Sequence, residues 1–354
     1  MAEETASKRL KTSPPVIGTH NGHFHADEAL AVYLLRMLPT YQPSTLIRTR
    51  DPSLLATCHT VVDVGGEYDP TTNRYDHHQR TFSATFPSRS TKLSSAGLIY
   101  LHFGQPIIAQ HTRLPTTDPA VPVLWTKLYT DFIEALDAHD NGIAAYDPAA
   151  LEAARVQKRF ADGGVTLGSL VGDLNPNWND PAPATDTDPS AAQAAEDARF
   201  LQASELMGSV FLRKLSYYAS AWLPARELVH RAYAARKTHD PSGRLLVLDT
   251  PMPWKDHLYA LEAENPAEAK VVYALYPEKP DDPAAKWRVQ AVPVTKDSFE
   301  SRKPLPEAWR GVRDDKLDEV TGVEGGVFVH ASGFIGGNRT RDGAARMAAK
   351  ALAV

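Results

Sequence analysis

The stretch Val16–Leu38 reads VIGTHNGHFHADEALAVYLLRML, and it decides the fold of the chain. Its first residues are an apolar stub typical of a short strand, and a polar, histidine-rich loop follows. From Asp27 the apolar residues recur with helical spacing as far as Pro39, which cannot continue a helix. The stretch therefore predicts a strand, a loop and a helix, as in the first unit of an α/β layer.

Short apolar strands and helices continue to alternate along the chain. Strands are predicted at Leu46–Thr49 and Val61–Val64, and the second has the continuous apolar character of a buried parallel strand. Helices are predicted at Leu93–Phe103 and Val123–Ala138, and a loop of low apolar content at Asn175–Ser190. This alternation is typical of an α/β fold with a mostly parallel sheet.

A second set of strands and helices begins after a helix break at Pro224. At 354 residues the chain is also long enough for two medium-sized domains. We therefore predict a flexible tail at residues 1–15, a larger domain at 16–225 and a smaller α/β domain at 226–354.

The composition limits the classes of function. The chain has 13 histidines but a single cysteine, Cys58, which excludes an internal disulfide and a cysteine-based zinc or iron–sulfur site. A net charge of -5 argues against binding nucleic acid or anionic membrane through a broad basic face. No stretch reaches the ~18 apolar residues of a membrane span, so we expect no membrane partner.

The first residues of the chain bear on localisation. Glu3 and Glu4 disfavour a mitochondrial presequence, and the apolar core of a secretory signal is missing. The basic cluster Lys8–Lys11 is typical of a nuclear import signal and equally of a solvated tail. We expect the nucleus or the cytoplasm, and a mitochondrial fraction stays open.

Four groups of histidine and acidic residues lie at the ends of predicted elements in the first domain. They are His20–Glu28, Asp63, Asp76–His78 and Asp140. A carboxylate such as Asp63 in an apolar strand is unfavourable unless it is paired or binds a metal. Together, a mixed His and Asp set without cysteine predicts hydrolytic metal chemistry rather than a structural zinc site.

Each group also has a structural alternative. The first would serve as a polar loop in which Asp27 caps the helix, and Asp140 would belong to a simple Asp-Asn-Gly turn. As neighbours in a strand, His77 and His78 would point to opposite faces, so that one of them at most binds a metal unless the chain turns there.

The order of these groups resembles that of the DHH phosphoesterase superfamily. Four longer motifs resemble, more narrowly, the melanocyte-proliferating-gene (Myg) family of metal-dependent exonucleases: Thr19–Glu28, Asp63–Asp69, Tyr75–Arg80 and Phe328–Gly337. The resemblance implies that the larger domain is a DHH-type catalytic domain. It also implies an active site in the cleft between the two domains.

The resemblance implies two divalent metal ions, usually Mn²⁺ in the superfamily, with Mg²⁺ and Zn²⁺ as alternatives. The implied ligands are His20, His25 and Asp63 for one ion, and Asp27, Asp63, His77 and Asp140 for the other. Asp63 would bridge the ions, His78 would face the substrate phosphate, and these two residues with His77 would be catalytic. The superfamily has Asp where this chain has His25, and His23 is an alternative to His20.

A glycine-rich segment, Ser332–Thr340, is predicted as a loop that opens the last helix. Glycines let backbone N–H groups approach a phosphate, and a helix N-terminus adds its dipole. The predicted substrate-binding residues are His78, His330, Ser332, Gly333, Gly336, Gly337, Asn338 and Arg339. A satisfied buried histidine is the alternative for His330. Arg48 and Arg50 are further phosphate candidates, or residues of a solvated strand end.

One hypothesis and two alternatives follow. The hypothesis is a metal-dependent phosphodiesterase of RNA processing, a 3′→5′ exonuclease on single-stranded RNA, whose direction and RNA preference come from the resemblance. One alternative is a phosphatase that hydrolyses pyrophosphate, a nucleotide bisphosphate or a dinucleotide with the same metals. The other is an inactive metal-binding scaffold. The oligomeric state stays open, a homodimer included.

Overall fold

The computed structural model describes residues 14–180 and 189–354. The chain divides into two compact units, the first ending at Tyr218 and the second beginning at Ala219. Nearly all of the predicted tail, with its basic cluster, lies outside the described residues, as do residues 181–188 of the predicted loop. Among the described residues, no helix has both the length and the apolar character needed to cross a membrane.

The first unit contains a five-stranded sheet. Its strands are β1 (Val16–Thr19), β2 (Thr45–Arg48), β3 (Thr60–Val62), β4 (Tyr68–Asp69) and β5 (Arg74–Tyr75). Its helices are α1 (Ala26–Met37), α2 (Pro52–Leu55), α3 (Ser95–Thr112), α4 (Ala120–Leu128), α5 (Glu134–Asp140), α6 (Pro148–Ala153), α7 (Leu167–Gly172) and α8 (Pro189–Tyr217). The strand order is β2-β1-β3-β5-β4, and every pair is parallel except β4 with β5. The mostly parallel sheet predicted from the sequence is therefore confirmed.

Helix α1 lies in the core of the first unit. It begins after His25, whose backbone N–H donates to the Glu28 carboxylate at 2.8 Å, and it ends where Pro39 imposes extended backbone on the preceding residue. Gly208 of α8 packs so closely on α1 that a Cβ there would lie 2.2 Å from the Tyr33 ring. Because most of the helix is buried, the acidic residues of its first turn, Asp27 and Glu28, are held in fixed positions.

One predicted helix is confirmed, with a π-helical turn inside it, and one predicted helix break is wrong. The helix predicted at Val123–Ala138 consists of α4, a π-helical turn at Tyr129–Ile133 and α5 in direct succession. The break predicted at Pro224 is instead a π-helical segment, Tyr218–Trp222, that leads directly into the next helix. Pro224 has no N–H to donate, so the hydrogen-bond pattern changes there while the chain stays helical.

The second unit contains a five-stranded sheet buried on both faces. Its strands are β6 (Leu245–Val247), β7 (Tyr273–Pro277), β8 (Trp287–Ala291), β9 (Gly326–Val329) and β10 (Ile335–Asn338). Its helices are α9 (Leu223–His239), α10 (Lys255–Glu264), α11 (Asp314–Thr321) and α12 (Arg341–Ala353). The order is β6-β7-β8-β10-β9, in which β6 and β7 are parallel and the other pairs antiparallel. Leu275 packs in the cluster that includes α12 residues, and its neighbour Ala274 in the cluster of α9 and α10 residues.

The middle of the glycine-rich segment, Ile335–Asn338, is a strand rather than the predicted loop, and turn or bend residues flank it on both sides. Gly336, Gly337 and Asn338 belong to β10, which pairs with β8 on one side and β9 on the other. A Cβ at Gly336 would lie 3.0 Å from both the Phe328 carbonyl oxygen and the Leu305 side chain. The glycines therefore permit close packing within the sheet.

Candidate metal centre

The four predicted groups meet at the carboxyl edge of the first sheet. His20 follows β1, Asp63 follows β3 and Asp76–His78 follow β5, and these three strands are parallel. Parallel strands bring their carboxyl ends to one edge, where ligands of α/β proteins bind. Asp140, the last residue of α5, lines the same cavity of about 540 Å³.

Asp63 lies at the centre of the group. Its side chain is 4% exposed, and its two oxygens face two different histidines. Oδ2 lies 3.3 Å from His20 Nε2, and Oδ1 lies 3.2 Å from His77 Nε2. Its φ of 59° is unusual for a residue with a side chain, and the Ser95 hydroxyl donates to Oδ1 at 3.0 Å. The carboxylate is thus oriented as a bridge between two sets of donors.

Each histidine has a second carboxylate at a similar distance. Glu28 Oε1 lies 3.1 Å from His20 Nε2, and Asp140 Oδ2 lies 3.1 Å from His77 Nε2. Adjacent ligands of an octahedral cation with bonds of about 2.1 Å are separated by about 3 Å. The spacing between these donors therefore fits two divalent cations that share Asp63.

Three groups of donor atoms each lie within 4.8 Å of one another and are able to hold a metal ion. They are His20, His25, Glu28 and Asp63; Asp63, Asp76, His77 and His78; and His25, Asp27 and Asp140. All six implied ligands occur in these groups, although Asp27 is grouped with His25 and Asp140 rather than with His77. Which residues bind which ion stays a prediction.

Charge supports a cation site at the same place. Asp27 is 1% exposed, and neither of its carboxylate oxygens has a hydrogen-bond partner among the described residues. Burial, together with the charges of Asp63 and Glu28, raises the pKa of Asp27 well above its usual range. Buried carboxylates facing one another are unfavourable unless positive charge lies between them. The donor set therefore fits divalent metal ions.

The two histidines show the same demand for positive charge. Burial opposes protonation of His20, but hydrogen bonds with Asp63 and Glu28 outweigh it and raise its pKa to about 10. Asp140 and Asp63 likewise raise the pKa of His77 to about 10 against the effect of burial. A divalent cation would supply that charge. Nε2 of each histidine could then stay unprotonated and act as a metal ligand.

His77 and His78 follow β5 where the chain turns, so both side chains approach Asp63. His78 Nδ1 lies 3.7 Å from Asp63 Oδ1, and its side chain is 61% exposed whereas that of His77 is 4% exposed. Asp76 bonds His78 Nδ1 at 2.7 Å and accepts from the backbone N–H of His77 at 2.7 Å and of Gly66 at 2.6 Å. Asp76 therefore fixes the exposed histidine at the cavity.

Comparison with known proteins shows the family to which this chain belongs. The family model MYG1_exonuc, described as "Uncharacterised protein family (UPF0160)", matches residues 16–352. This chain belongs to the MYG1 family. The MYG1 exonuclease of Homo sapiens is 48% identical over 354 residues, which cover 98% of this chain and 88% of the human protein. The Dictyostelium discoideum MYG1 protein is 44% identical, with 95% of this chain and 96% of the relative covered, and that of Saccharomyces cerevisiae is 39% identical, with 98% and 99% covered. No solved structure matches the chain.

In this MYG1 chain the structure favours His20 over His23 as a metal ligand, and which of the two binds a metal stays a prediction. His23 lines the cavity, and its ring lies 5.5 Å from that of His25. It belongs to none of the donor groups found in the described part of the chain, whereas His20 faces Asp63 directly. His20 directly follows β1, which is the sequence signal for this choice.

The two arginine candidates have different environments. Arg48 is 4% exposed, donates to the Gly22 carbonyl at 2.7 Å and lies over the Phe24 and Phe200 rings. It therefore stabilises the histidine loop, residues 20–25, through contacts with the backbone and with Phe24. Arg50 lines the cavity, with Nη2 3.3 Å from His20 Nδ1. The structure therefore favours Arg50 as the phosphate candidate.

Sequence reasoning included Glu28 and Asp76 in its groups of candidate metal ligands but gave neither residue a role of its own. Both lie inside motifs that it singled out, but a glutamate in the first turn of a helix also suits a capping role. Asp137 and Asn175 were missed completely. Asp137 accepts from the backbone N–H and the hydroxyl of Ser94, and Asn175 bonds the backbone of Phe24. No local sequence pattern predicts either role, because Ser94 lies 43 positions from Asp137 and Phe24 lies 151 positions from Asn175.

The predicted substrate residues of the second unit fall into two classes. His330, Ser332 and Arg339 are exposed, and the His330 ring nitrogen Nδ1 lies 2.9 Å from the Ser332 hydroxyl, so the buried alternative for His330 is wrong. Asn338 is fully buried, donates to the Glu324 carbonyl and accepts from the Thr340 N–H, which favours a structural role. Contact of these residues with substrate stays a prediction.

Proposed function

We propose that this protein is a metal-dependent phosphodiesterase that removes nucleotides from the 3′ end of single-stranded RNA. The observation that carries the proposal is the position of Asp63, whose two oxygens face His20 and His77 at 3.3 and 3.2 Å. The exonuclease name of the human and mouse relatives supports the class of reaction. Preference for RNA, 3′→5′ direction and membership of the DHH superfamily come from the motif resemblance.

Two divalent cations at this site, for which we propose Mn²⁺, would supply Lewis acidity and a lowered pKa for water at neutral pH. The protein's own contribution is to hold the donors rigidly. Asp63 is fixed by the Ser95 hydroxyl, and Asp140 ends a helix whose Asp137 is anchored to Ser94. Fixed donors need no rearrangement as charge develops on the phosphoryl oxygens, which favours the transition state.

His78 is proposed to contact the substrate phosphate. It lines the cavity, and its hydrogen bond with Asp76 raises its pKa, which favours the imidazolium. With Nδ1 held by Asp76, Nε2–H would donate to a phosphoryl oxygen. We propose that Arg50 contributes a second positive charge to the same phosphate, and that the exposed residues His330, Ser332 and Arg339 bind the RNA strand. Gly333 is buried, and its backbone N–H donates to the His330 carbonyl, which favours a structural role.

The proposal is tested with single-stranded RNA labelled at its 5′ end. With Mn²⁺ we expect a ladder that shortens from the 3′ end and the release of mononucleotides. Asp63→Asn and His77→Ala should each lower the rate at least 100-fold, because each removes a donor to the cations. His239→Ala is the matched control, since His239 is exposed and belongs to the second unit. Absence of release, or full release by the two variants, would contradict the proposal.

A small-molecule phosphatase is the second candidate. It is favoured by the cavity of about 540 Å³, because small-molecule sites typically occupy roughly 300–1,000 Å³. Pyrophosphate, a nucleotide bisphosphate and a dinucleotide should therefore be assayed beside RNA. Faster hydrolysis of one of them would favour this candidate, and metal binding without any turnover would favour an inactive scaffold.

A further inference from the structure

Glu28 is a buried carboxylate that helix capping alone does not explain. It is the third residue of α1, and its Oε1 accepts the backbone N–H of His25 at 2.8 Å. Glutamine at this position caps a helix in the same way, so the cap needs no charge. Yet Glu28 is 0% exposed, and its Oε2 has no hydrogen-bond partner among the described residues.

Glu28 and Asp27 are successive residues in the first turn of the helix. Successive residues of an α-helix point about 100° apart, so the two carboxylates lie beside different donors. Asp27 is grouped with His25 and Asp140, whereas Glu28 is grouped with His20, His25 and Asp63. Glu28 therefore lies beside two donors, His20 and Asp63, that are not grouped with Asp27.

The Glu28 carboxylate adds a negative charge to a donor set whose other carboxylate, Asp63, would be shared between two cations. Glu28 Oε1 lies 3.1 Å from His20 Nε2, which is the spacing of two ligands on one edge of an octahedron, about 3 Å. With Asp63 shared between two cations, His20 and His25 would otherwise offer only neutral nitrogen donors to one of them. Hard divalent cations such as Mn²⁺ favour carboxylate oxygen.

We infer that Glu28 is a ligand of the cation held by His20, His25 and Asp63. This inference depends on the metal part of the proposed function, and it adds a fourth donor to that site. Glu28 thus has two roles: it caps α1 through the His25 N–H and gives the first cation a carboxylate of its own. The cap couples the position of the ligand to the start of the helix.

Glu28→Gln separates the two roles, because the amide keeps the cap and loses the charge. Binding of Mn²⁺ is followed by the electron paramagnetic resonance signal of free Mn²⁺, and folding by thermal melting in EDTA. For the wild-type protein we expect two equivalents of bound Mn²⁺. For the variant we expect one equivalent bound as before, one bound at least tenfold more weakly, and an unchanged or higher melting temperature in EDTA.

Two further variants complete the design. Glu152→Gln is the matched control, because Glu152 is exposed on α6 and the same substitution there should leave both measurements unchanged. Glu28→Ala removes the cap as well, so it should lower the melting temperature in EDTA while weakening Mn²⁺ binding as much as Glu28→Gln does. Weak binding by Glu28→Ala together with normal binding by Glu28→Gln would overturn the inference, because Glu28 would then act only as a cap.

The outcomes distinguish this inference from the proposed function. If the wild-type protein binds two equivalents and Glu28→Gln binds them with equal affinity, the inference fails and the proposed function stands. If the wild-type protein binds no Mn²⁺, both fail. Loss of one site in Glu28→Gln, with RNA hydrolysis reduced in parallel, would support both.

Discussion

Asn175 holds the backbone of the histidine loop through two hydrogen bonds. Its Oδ1 accepts the Phe24 N–H at 3.0 Å, and its Nδ2 donates to the Phe24 carbonyl at 3.0 Å. The side chain is buried, and Phe24 lies between His23 and His25. One amide thus satisfies both backbone polar groups of Phe24, which would otherwise be buried without partners. Asn175 is a positioning residue for the metal centre.

Asn175→Asp tests this role with almost no change in side-chain volume. The carboxylate would still accept from the Phe24 N–H, but its second oxygen would face the Phe24 carbonyl in place of a donor. We expect a loss of about 1–3 kcal/mol of folding free energy, measured by urea unfolding in EDTA, because a buried acceptor loses its partner. The affinity for Mn²⁺ should fall as well. Asn179→Asp, at an exposed position, is the control, and equal stability of the two variants would contradict the role.

At the residue scale, the sequence predicts donors that lie close together along the chain. His20, His25 and Asp27 are recognisable because they fall within eight positions beside a predicted strand end. Glu28 lies in the same motif, but its dual role depends on the burial of its side chain. Asn175 lies 151 positions from its partner Phe24, so its role is determined by tertiary structure alone.

Helices α3 and α5 are joined by a buried carboxylate. Asp137 Oδ1 accepts from the backbone N–H of Ser94 at 3.0 Å and from its hydroxyl at 2.8 Å, and Oδ2 accepts from the Tyr129 hydroxyl at 2.9 Å. The carboxylate occupies the space beside Gly97, where a Cβ would lie 2.3 Å from it. The link connects the helix that carries Ser95 with the helix that ends at Asp140.

The charge state of Asp137 predicts a pH dependence of stability. Burial raises the pKa of Asp137 to about 7, although hydrogen bonds from Ser94 and Tyr129 favour the charged form. The folded state then holds a proton that the unfolded chain releases near pH 4, so the contribution of Asp137 to stability falls as the pH rises from about 4 to 7. Asp137→Asn does not titrate. The unfolding free energy of the wild type relative to this variant should therefore fall by about 1 kcal/mol per pH unit between pH 5 and 7.

The measurement is urea unfolding at several pH values. EDTA is present throughout, because it removes the contribution of bound cations. Asp173→Asn is the control, because Asp173 is exposed and its substitution should give a difference independent of pH. A wild-type stability that rises with pH relative to Asp137→Asn would mean that the four hydrogen-bond donors around Asp137, including the Gly97 N–H, outweigh burial.

At the element scale, apolar runs predict strands and helices better than glycine content does. Val61 and Val62 mark β3 because their branched side chains suit a buried strand. The segment around Gly336 reads as a loop, since glycine has no side chain to show a strand pattern. Its strand conformation depends on pairing with β8 and β9, which the local sequence does not encode.

The chain as a whole is acidic, and a few of its acidic residues come together where cations would bind. Asp27, Glu28, Asp63 and Asp140 approach one another at one sheet edge, although they come from three separate regions of the sequence. The predicted parallel sheet accounts for this convergence, since it brings the ends of β1, β3 and β5 together. The predicted domain limits at 225 and 226 stay a prediction, and the compact units divide at Tyr218.

Cation binding should therefore stabilise the first unit selectively, because all the donors belong to it. At a Mn²⁺ concentration 100 times the dissociation constant, each bound cation contributes about 2.7 kcal/mol, so one cation slows exchange through unfolding of that unit by about 100-fold and two slow it by about 10,000-fold. Hydrogen exchange with mass spectrometry should show this slowing in peptides from β1, β3 and α5. Peptides from β7 and β8 should exchange at the same rate with Mn²⁺ as with EDTA.

Asp63→Asn provides the control for this selectivity, since it removes the charge that both donor sets share and should abolish the slowing in the first unit. If β7 and β8 were slowed as much as β1 in the wild type, the cations could not be held by the first unit alone. If Asp63→Asn kept the full effect, Mn²⁺ would be binding elsewhere in the chain. Slowing that is confined to the first unit and depends on Asp63 requires donors from several strand ends to bind the cations together. A cation on a lone surface carboxylate would not protect the neighbouring strands β1 and β3 at the same time.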